Sequence, residues 1–253
     1  MAKHIYNLKR DPKDDRDRLL LYLPSVTLPA KVDLRPVCPS VYNQGSLGSC
    51  TANAIGADLD FVHKQNKPSS DFFYPSRLFI YYNERKMEGT INEDNGAYIR
   101  DGIKSVKKEG ACPEKTWPYD ISKFTKKPSS QAYKEALSFQ AISYERILAA
   151  NATLIKRALA NNLPVVCGIL VYDSFETDVV TRTGMIPMPN KKKESLLGGH
   201  AVLLVGYDDS ISRFILRNSW GESWGDKGYG YIPYDFIGNS SLTSDIWVIK
   251  QAE

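Results

Sequence analysis

His200-Ala-Val-Leu-Leu-Val-Gly-Tyr207, followed by Leu216-Arg-Asn218-Ser-Trp220-Gly-Glu-Ser-Trp224-Gly225-Asp-Lys-Gly228-Tyr229-Gly230, is the part of the chain that decides how the rest is read. His200 follows two glycines, Gly198 and Gly199, and opens an apolar run that reads as a buried strand. The turn residues Asp208-Asp209-Ser210 close that run. The chain has only two other histidines. His4 lies in a charged N-terminal stretch, and His63 stands 13 residues after Cys50 on what reads as one helix. At 1.5 Å per residue, Cys50 and His63 are roughly 20 Å apart and cannot share a proton. His200 is therefore the candidate base for a nucleophile.

Working outward, Cys50 follows Gly45-Ser46-Leu47-Gly48-Ser49 and starts a predicted helix. A glycine-rich loop feeding a helix N-terminus exposes backbone N–H groups, and the dipole there favours an anion. Both effects favour a thiolate. Gln44, in the same loop, carries an amide that could serve an oxyanion. The plainer reading makes Cys50 a small buried hydrophobe and Gln44 a surface residue.

Helices are expected first along the chain. Ser49 is placed to cap one carrying Ile55, Leu59 and Val62 on a face. Others are expected over Pro75 to about Lys86, Ala97 to Lys108 with Gly110 past its end, and Asn151 to about Ala160. Strands follow over Val165–Tyr172, Ala201–Tyr207, Phe214–Arg217, Tyr229–Ile232 and Ile246–Lys250. Helices first and strands later imply an α+β fold with segregated lobes, and a cleft between such lobes is a usual place for a site.

These segments together resemble the papain-like cysteine peptidases (the C1 family), in a divergent microbial or viral-type branch. That family has a Cys near the mature N-terminus with His and Asn ~130–150 residues downstream. Here His200 lies 150 residues after Cys50 and Asn218 lies 168 after it. Pro29-Ala-Lys-Val-Asp33-Leu-Arg35 is similar to the family's mature start, Asn43-Gln44-Gly45 through Cys50 to its nucleophile loop, and Trp117-Pro118-Tyr119 to another landmark. The resemblance implies a two-lobe fold, a helical N-terminal lobe and an antiparallel β-rich C-terminal lobe, over residues 28–253. It implies Cys50 as nucleophile, His200 as proton acceptor and donor, and Asn218 as the residue orienting the imidazole. Trp220 then shields the Asn–His bond, and Gln44 completes an oxyanion hole with the Cys50 N–H. Substrate is expected to pair its backbone with Gly96, with Asn95, Tyr98 and Ala201 as pocket walls and a floor from Asn239–Thr243. The reading is a cysteine endopeptidase working through a thioacyl enzyme, with no cofactor and no metal. Departures from the pattern are Leu47 where the family usually has a cysteine, Thr51 where it has an aromatic residue, and no long helical pro-segment before Leu28.

Composition sets the outer limits. The chain has 253 residues, 42% of them hydrophobic and 25% charged, so it has enough apolar material for a sizeable core. A net charge of +4 is no nucleic-acid footprint, and no apolar run approaches membrane-spanning length. The partner expected is a protein or peptide substrate, with no nucleic acid and no membrane, and the chain is expected to be a monomer. The cysteines Cys38, Cys50, Cys112 and Cys167 lack zinc-ligand spacing. Cys167 reads as core, and Cys38 and Cys112 read as thiols, with a bond between them the alternative. No secretory signal is visible, which favours a cytoplasmic or virion-associated location over a lysosomal or secreted one.

Residues 1–27 form a charged arm, ten of the first 18 side chains carrying charge. It reads either as an extra structural segment or as a short inhibitory leader lying near the cleft, which would make the chain a zymogen. Two further readings compete with an active peptidase: a thiol acyltransferase or ligase on the same triad, and a catalytically silent binding module.

Overall fold

The computed structural model describes residues 4–24, 26–68, 71–148 and 150–252; the arm's first three residues and the last residue of the expected domain lie outside them. A 17-residue helix, α1 (Cys50–Asn66), runs through the centre, with every residue from Cys50 to His63 buried. A helix buried on all sides carries no sharp amphipathic stripe. Its alanines and Gly56 let its neighbours approach closely. Against it pack α2 (Arg77–Glu88) and α3 (Ile99–Lys108). Ser76 caps α2 by accepting the Phe79 N–H, and Gly89, at φ 73°, ends it. Isoleucines 99 and 103 with Val106 form the buried face of α3. His63 sits in an aromatic nest with Phe73 and Phe139.

The second half supplies six of the seven strands of an antiparallel sheet, β2 (Ala141–Ile147), β3 (Val165–Tyr172), β4 (Leu196–Asp208), β5 (Arg213–Arg217), β6 (Tyr229–Pro233) and β7 (Thr243–Ala252), and β1 (Lys31–Asp33) joins them from before α1. The order is β2-β7-β3-β4-β5-β6, with β1 also pairing β4. The resulting architecture is the two-lobe papain-like α+β fold, helices in one lobe and the sheet in the other. Two shorter helices, α4 (Ser130–Ala136) and α5 (Ala152–Ala160), lie between strand segments. All four cysteines are free thiols, so no Cys38–Cys112 bond forms.

The local expectations differ from the structure at their edges. Ser49 precedes α1 but its side chain makes no cap bond; the hydroxyl instead meets Tyr119 Oη at 2.5 Å and Asn53 Nδ2 at 3.1 Å. Helix α2 starts two residues after Pro75, because Ser76 takes the cap. Strand β4 starts at Leu196, not Ala201, because its pairing with β3 carries it back through Gly199 and Gly198. His200 is thus inside a strand, opposite Ile169.

The arm crosses both lobes. Leu8 N–H donates to Gly199 O (3.1 Å) and Lys9 N–H donates to Ala97 O (3.2 Å), so the backbone bridges β4 and the start of α3. Further on, Asp17 makes a bidentate pair with Arg100 (2.9 and 2.6 Å) and also meets Arg146 (2.7 Å). Asp11 accepts from the Arg100 N–H at 3.1 Å and Trp247 Nε1 at 2.9 Å, while its own N–H donates to Asp245. Arg146 N–H then donates to Arg18 O and Leu20 N–H donates to Arg146 O, and Leu20 buries its side chain.

Candidate active site

The start of α1 and the middle of β4 face each other across the line where the lobes meet. Cys50 is 1% exposed and His200 0% exposed. Asn218, just after β5, accepts a hydrogen bond from His200 Nε2 at 2.8 Å. The same oxygen accepts the Ser219 N–H at 2.9 Å, which fixes the amide orientation. An amide oxygen can only accept, so Nε2 carries the ring hydrogen. Nδ1 of the neutral ring is then a lone pair, and it has no hydrogen-bond partner. The sulfur of Cys50 lies against the backbone N–H of Ala201, which pulls the thiol pKa down.

Trp220 covers this assembly. Its ring stacks on His200 at 5.0 Å between centroids and 27° between planes. Phe175 and Trp224 pack edge-on against it. Gln44 is 1% exposed and held at both ends: its Oε1 accepts from Ser219 Oγ at 2.6 Å, and its Nε2 donates to Leu47 O at 3.0 Å. Tyr119 Oη donates to the Gln44 carbonyl at 3.0 Å. The nucleophile loop is tied down by Asp94, whose carboxylate accepts the Gly48 N–H.

The electrostatics differ from those expected at a helix N-terminus. Burial pushes the Cys50 thiol up to about 12, with a nearby Glu84 adding in the same direction. Burial pushes His200 down to about 4, against the raising effect of its bond to Asn218. Desolvation disfavours both charged forms and outweighs the helix dipole. Burial thus favours the neutral thiol and imidazole over an ion pair in this state.

The arm lies over this site. His4 stacks on Trp220 at 3.8 Å with 4° between planes, and Tyr6 sits edge-on to His200 and Trp220. Tyr6 hydroxyl donates to Glu176. Asn7 lies over the nucleophile loop, its Nδ2 donating to Asp94 O at 2.9 Å. A Cβ on Gly48 would fall 2.1 Å from Asn7 Nδ2, and one on Gly96 would fall 2.0 Å from Asn7 O. Glycine is needed at both positions for another chain to pass so close. Gly96 also has φ 66°. Leu8 lies over Gly168 and helps line a mostly apolar hollow with Ile169, Leu170, Gly199 and Leu242 to Ser244.

The candidate pocket residues fall in different places. Tyr98 starts α3, donates its N–H to Glu88 and lies beside Lys9. Ala201 is buried at the sulfur, not in the Leu8 hollow. Asn95 is exposed, with its amide turned to Glu93. The backbone bond on the Gly96 side goes through the Ala97 carbonyl. Ser219 and Asp94 were not singled out in the sequence; only the adjacency of Ser219 to Asn218 pointed to it. Among the described residues no cluster of His, Cys, Asp or Glu could hold a metal.

A family model described as papain family cysteine protease matches residues 28–247. An uncharacterized peptidase C1-like protein, L477, of Acanthamoeba polyphaga mimivirus is 44% identical over 229 residues, 87% of this chain and 73% of that protein. Mouse cathepsin K is 28% identical over 211 residues, 81% of this chain and 60% of that protein. The crystal structure of xylellain, a cysteine protease from Xylella fastidiosa, superimposes with a TM-score of 0.88 at 45% identity, covering 98% of this chain and 96% of that one.

Proposed function

This chain belongs to the papain family of cysteine proteases and is a peptide hydrolase; we propose that it is an endopeptidase using Cys50, His200 and Asn218, held idle in the present state by its own N-terminal arm. The observation that carries the reading is the His200–Asn218 bond, which leaves the Nδ1 lone pair free beside the start of α1. His200 takes the Cys50 proton as sulfur attacks the peptide carbonyl. The tetrahedral oxyanion is met by Gln44 Nε2 and the Cys50 N–H. His200 then protonates the departing amine, leaving a thioacyl enzyme. Water, deprotonated by His200, attacks the thioester and frees the acid and the thiol. Trp220 keeps water off the Asn218–His200 bond. A thiol acyltransferase or ligase would share every step except the last acceptor.

The same roles would keep the seated arm from being cut in place. The leaving amine must depart on the His200 side, so the C-terminal part of a substrate lies towards Trp220. The arm puts its N-terminal residues His4 and Tyr6 there and runs on past Asn7 to Leu8 and Lys9. Its direction is opposite to a productive one, so its peptide bonds present the wrong end to His200.

The test is alkylation of Cys50 by a thiol-directed epoxide alongside hydrolysis of fluorogenic peptides. Stoichiometric labelling of Cys50 with parallel loss of turnover is expected, and Cys50→Ala should be inert. Full turnover by Cys50→Ala would sink the mechanism. Equal turnover by the full chain and a chain starting at Leu28 would remove the inhibitory role of the arm.

A further inference from the structure

The arm's seat carries a second recognition element beside the Leu8 hollow. Lys9 Nζ meets Glu88 Oε2 at 2.7 Å, and the Glu88 side chain is only 4% exposed. The other oxygen, Oε1, accepts the Tyr98 N–H at 2.9 Å, which locks the carboxylate in place at the end of α2. The Tyr98 ring lies 5.5 Å from the ammonium. A carboxylate this enclosed, with one oxygen spent on a backbone N–H, needs a cation at the other. When the arm leaves, that cation leaves with it.

We propose that Glu88, with Tyr98, is a specificity site for a basic residue of the substrate, immediately N-terminal to the aliphatic residue that takes the place of Leu8. The inference rests on the peptidase reading above. A substrate running in the productive direction meets the two seats in the reverse order of the arm. Its sequence is therefore basic, then aliphatic, then one further residue before the cleaved bond. The carboxylate oxygen facing the cleft accepts a charge-assisted hydrogen bond from the lysine or arginine, and the Tyr98 ring covers the stem.

The experiment uses the full chain with Leu8→Asp and Lys9→Glu together, which unseats the arm by placing charge in the apolar hollow and against Glu88. Three coumarin amides are compared: acyl-Lys-Leu-Ala, acyl-Nle-Leu-Ala (norleucine replacing lysine) and acyl-Glu-Leu-Ala. The lysine peptide is expected to exceed the norleucine peptide in kcat/KM by about tenfold, the size of one charge-assisted bond. Glu88→Gln keeps the acceptor for the Tyr98 N–H and should collapse that ratio towards one. The glutamate peptide should be the slowest of the three. A lysine-to-norleucine ratio near one, or a ratio that survives Glu88→Gln, overturns the inference while leaving the peptidase reading intact. No hydrolysis and no Cys50 alkylation in the unseated chain overturns both.

Discussion

Ser219 donates to Gln44 through its hydroxyl and to Asn218 through its backbone, so one residue orients both the proposed oxyanion donor and the imidazole's partner. Gln44→Ala removes a donor and is expected to lower kcat by about 100–1,000-fold. Ser219→Ala should cost less, about tenfold, because Gln44 keeps its bond to Leu47 O and loses only its tether at the other end. That loss should appear in kcat and not in KM, read by steady-state kinetics on the arm-free form. The titration of Cys50 is the second residue-scale test. With the thiol pushed up to about 12 by burial, alkylation of the seated chain should be slow at pH 7 and rise steadily with pH. Once the arm is displaced, water and His200 stabilise the thiolate, and the alkylation profile should move to lower pH. An unchanged profile would separate burial by the arm from the reactivity of the thiol.

At the scale of elements, the arm is fastened by charge as well as by backbone pairing. Asp17 is 5% exposed and balances Arg100 and Arg146. Asp17→Asn leaves two enclosed guanidinium groups short of a counter-charge, a change that costs up to about 3 kcal/mol where the groups stay buried. Cys50 alkylation of the full chain should then accelerate by an order of magnitude or more. Asp11 sets a pH dependence of known sign. Burial, and then the nearby Asp245 carboxylate, raise its pKa to about 6 in the seated arm. Seating therefore favours the protonated form, and this contribution to arm docking is fully present below pH ~4 and lost as pH rises through about 6. For this group the arm loosens towards neutral pH, and Asp11→Asn should flatten the response in the same alkylation assay. Much of the element layout was legible from periodicity: the Ile99, Ile103, Val106 stripe and the apolar run Val165–Tyr172 need only local pattern. Strand β2 was not, because Ala141-Ile-Ser-Tyr-Glu-Arg-Ile147 has no run of apolar residues and becomes a strand by pairing with β7. The path of the arm was not legible either, since its charged residues pair with Glu88, Arg100 and Arg146, far away in sequence. The catalytic candidates were legible because motif residues announce themselves by type and order. Glu88, an ordinary helix-end glutamate by sequence, does not.

On the scale of the whole molecule, Trp247 joins the sheet, the helical lobe and the arm. It is fully buried on β7, packs edge-on with Tyr144, lies under the guanidinium groups of Arg100 and Arg146, and donates Nε1 to Asp11. Trp247→Ala should cost about 3–5 kcal/mol of unfolding free energy, measured by denaturant titration. Trp247→Phe retains most of the packing but strands an Asp11 oxygen, so it should release the arm more than it lowers global stability. The position of Trp220 has an optical consequence. Its indole is sandwiched between the imidazoles of His4 and His200 while the arm is home. Departure of the arm strips one face of the indole and wets it, so the chain's intrinsic fluorescence should brighten or dim and shift to longer wavelength without any added dye. Trp220→Phe should remove most of that signal, leaving the part that comes from Trp247 as it loses its bond to Asp11, and stopped-flow emission of the native chain would then clock the opening of the cleft.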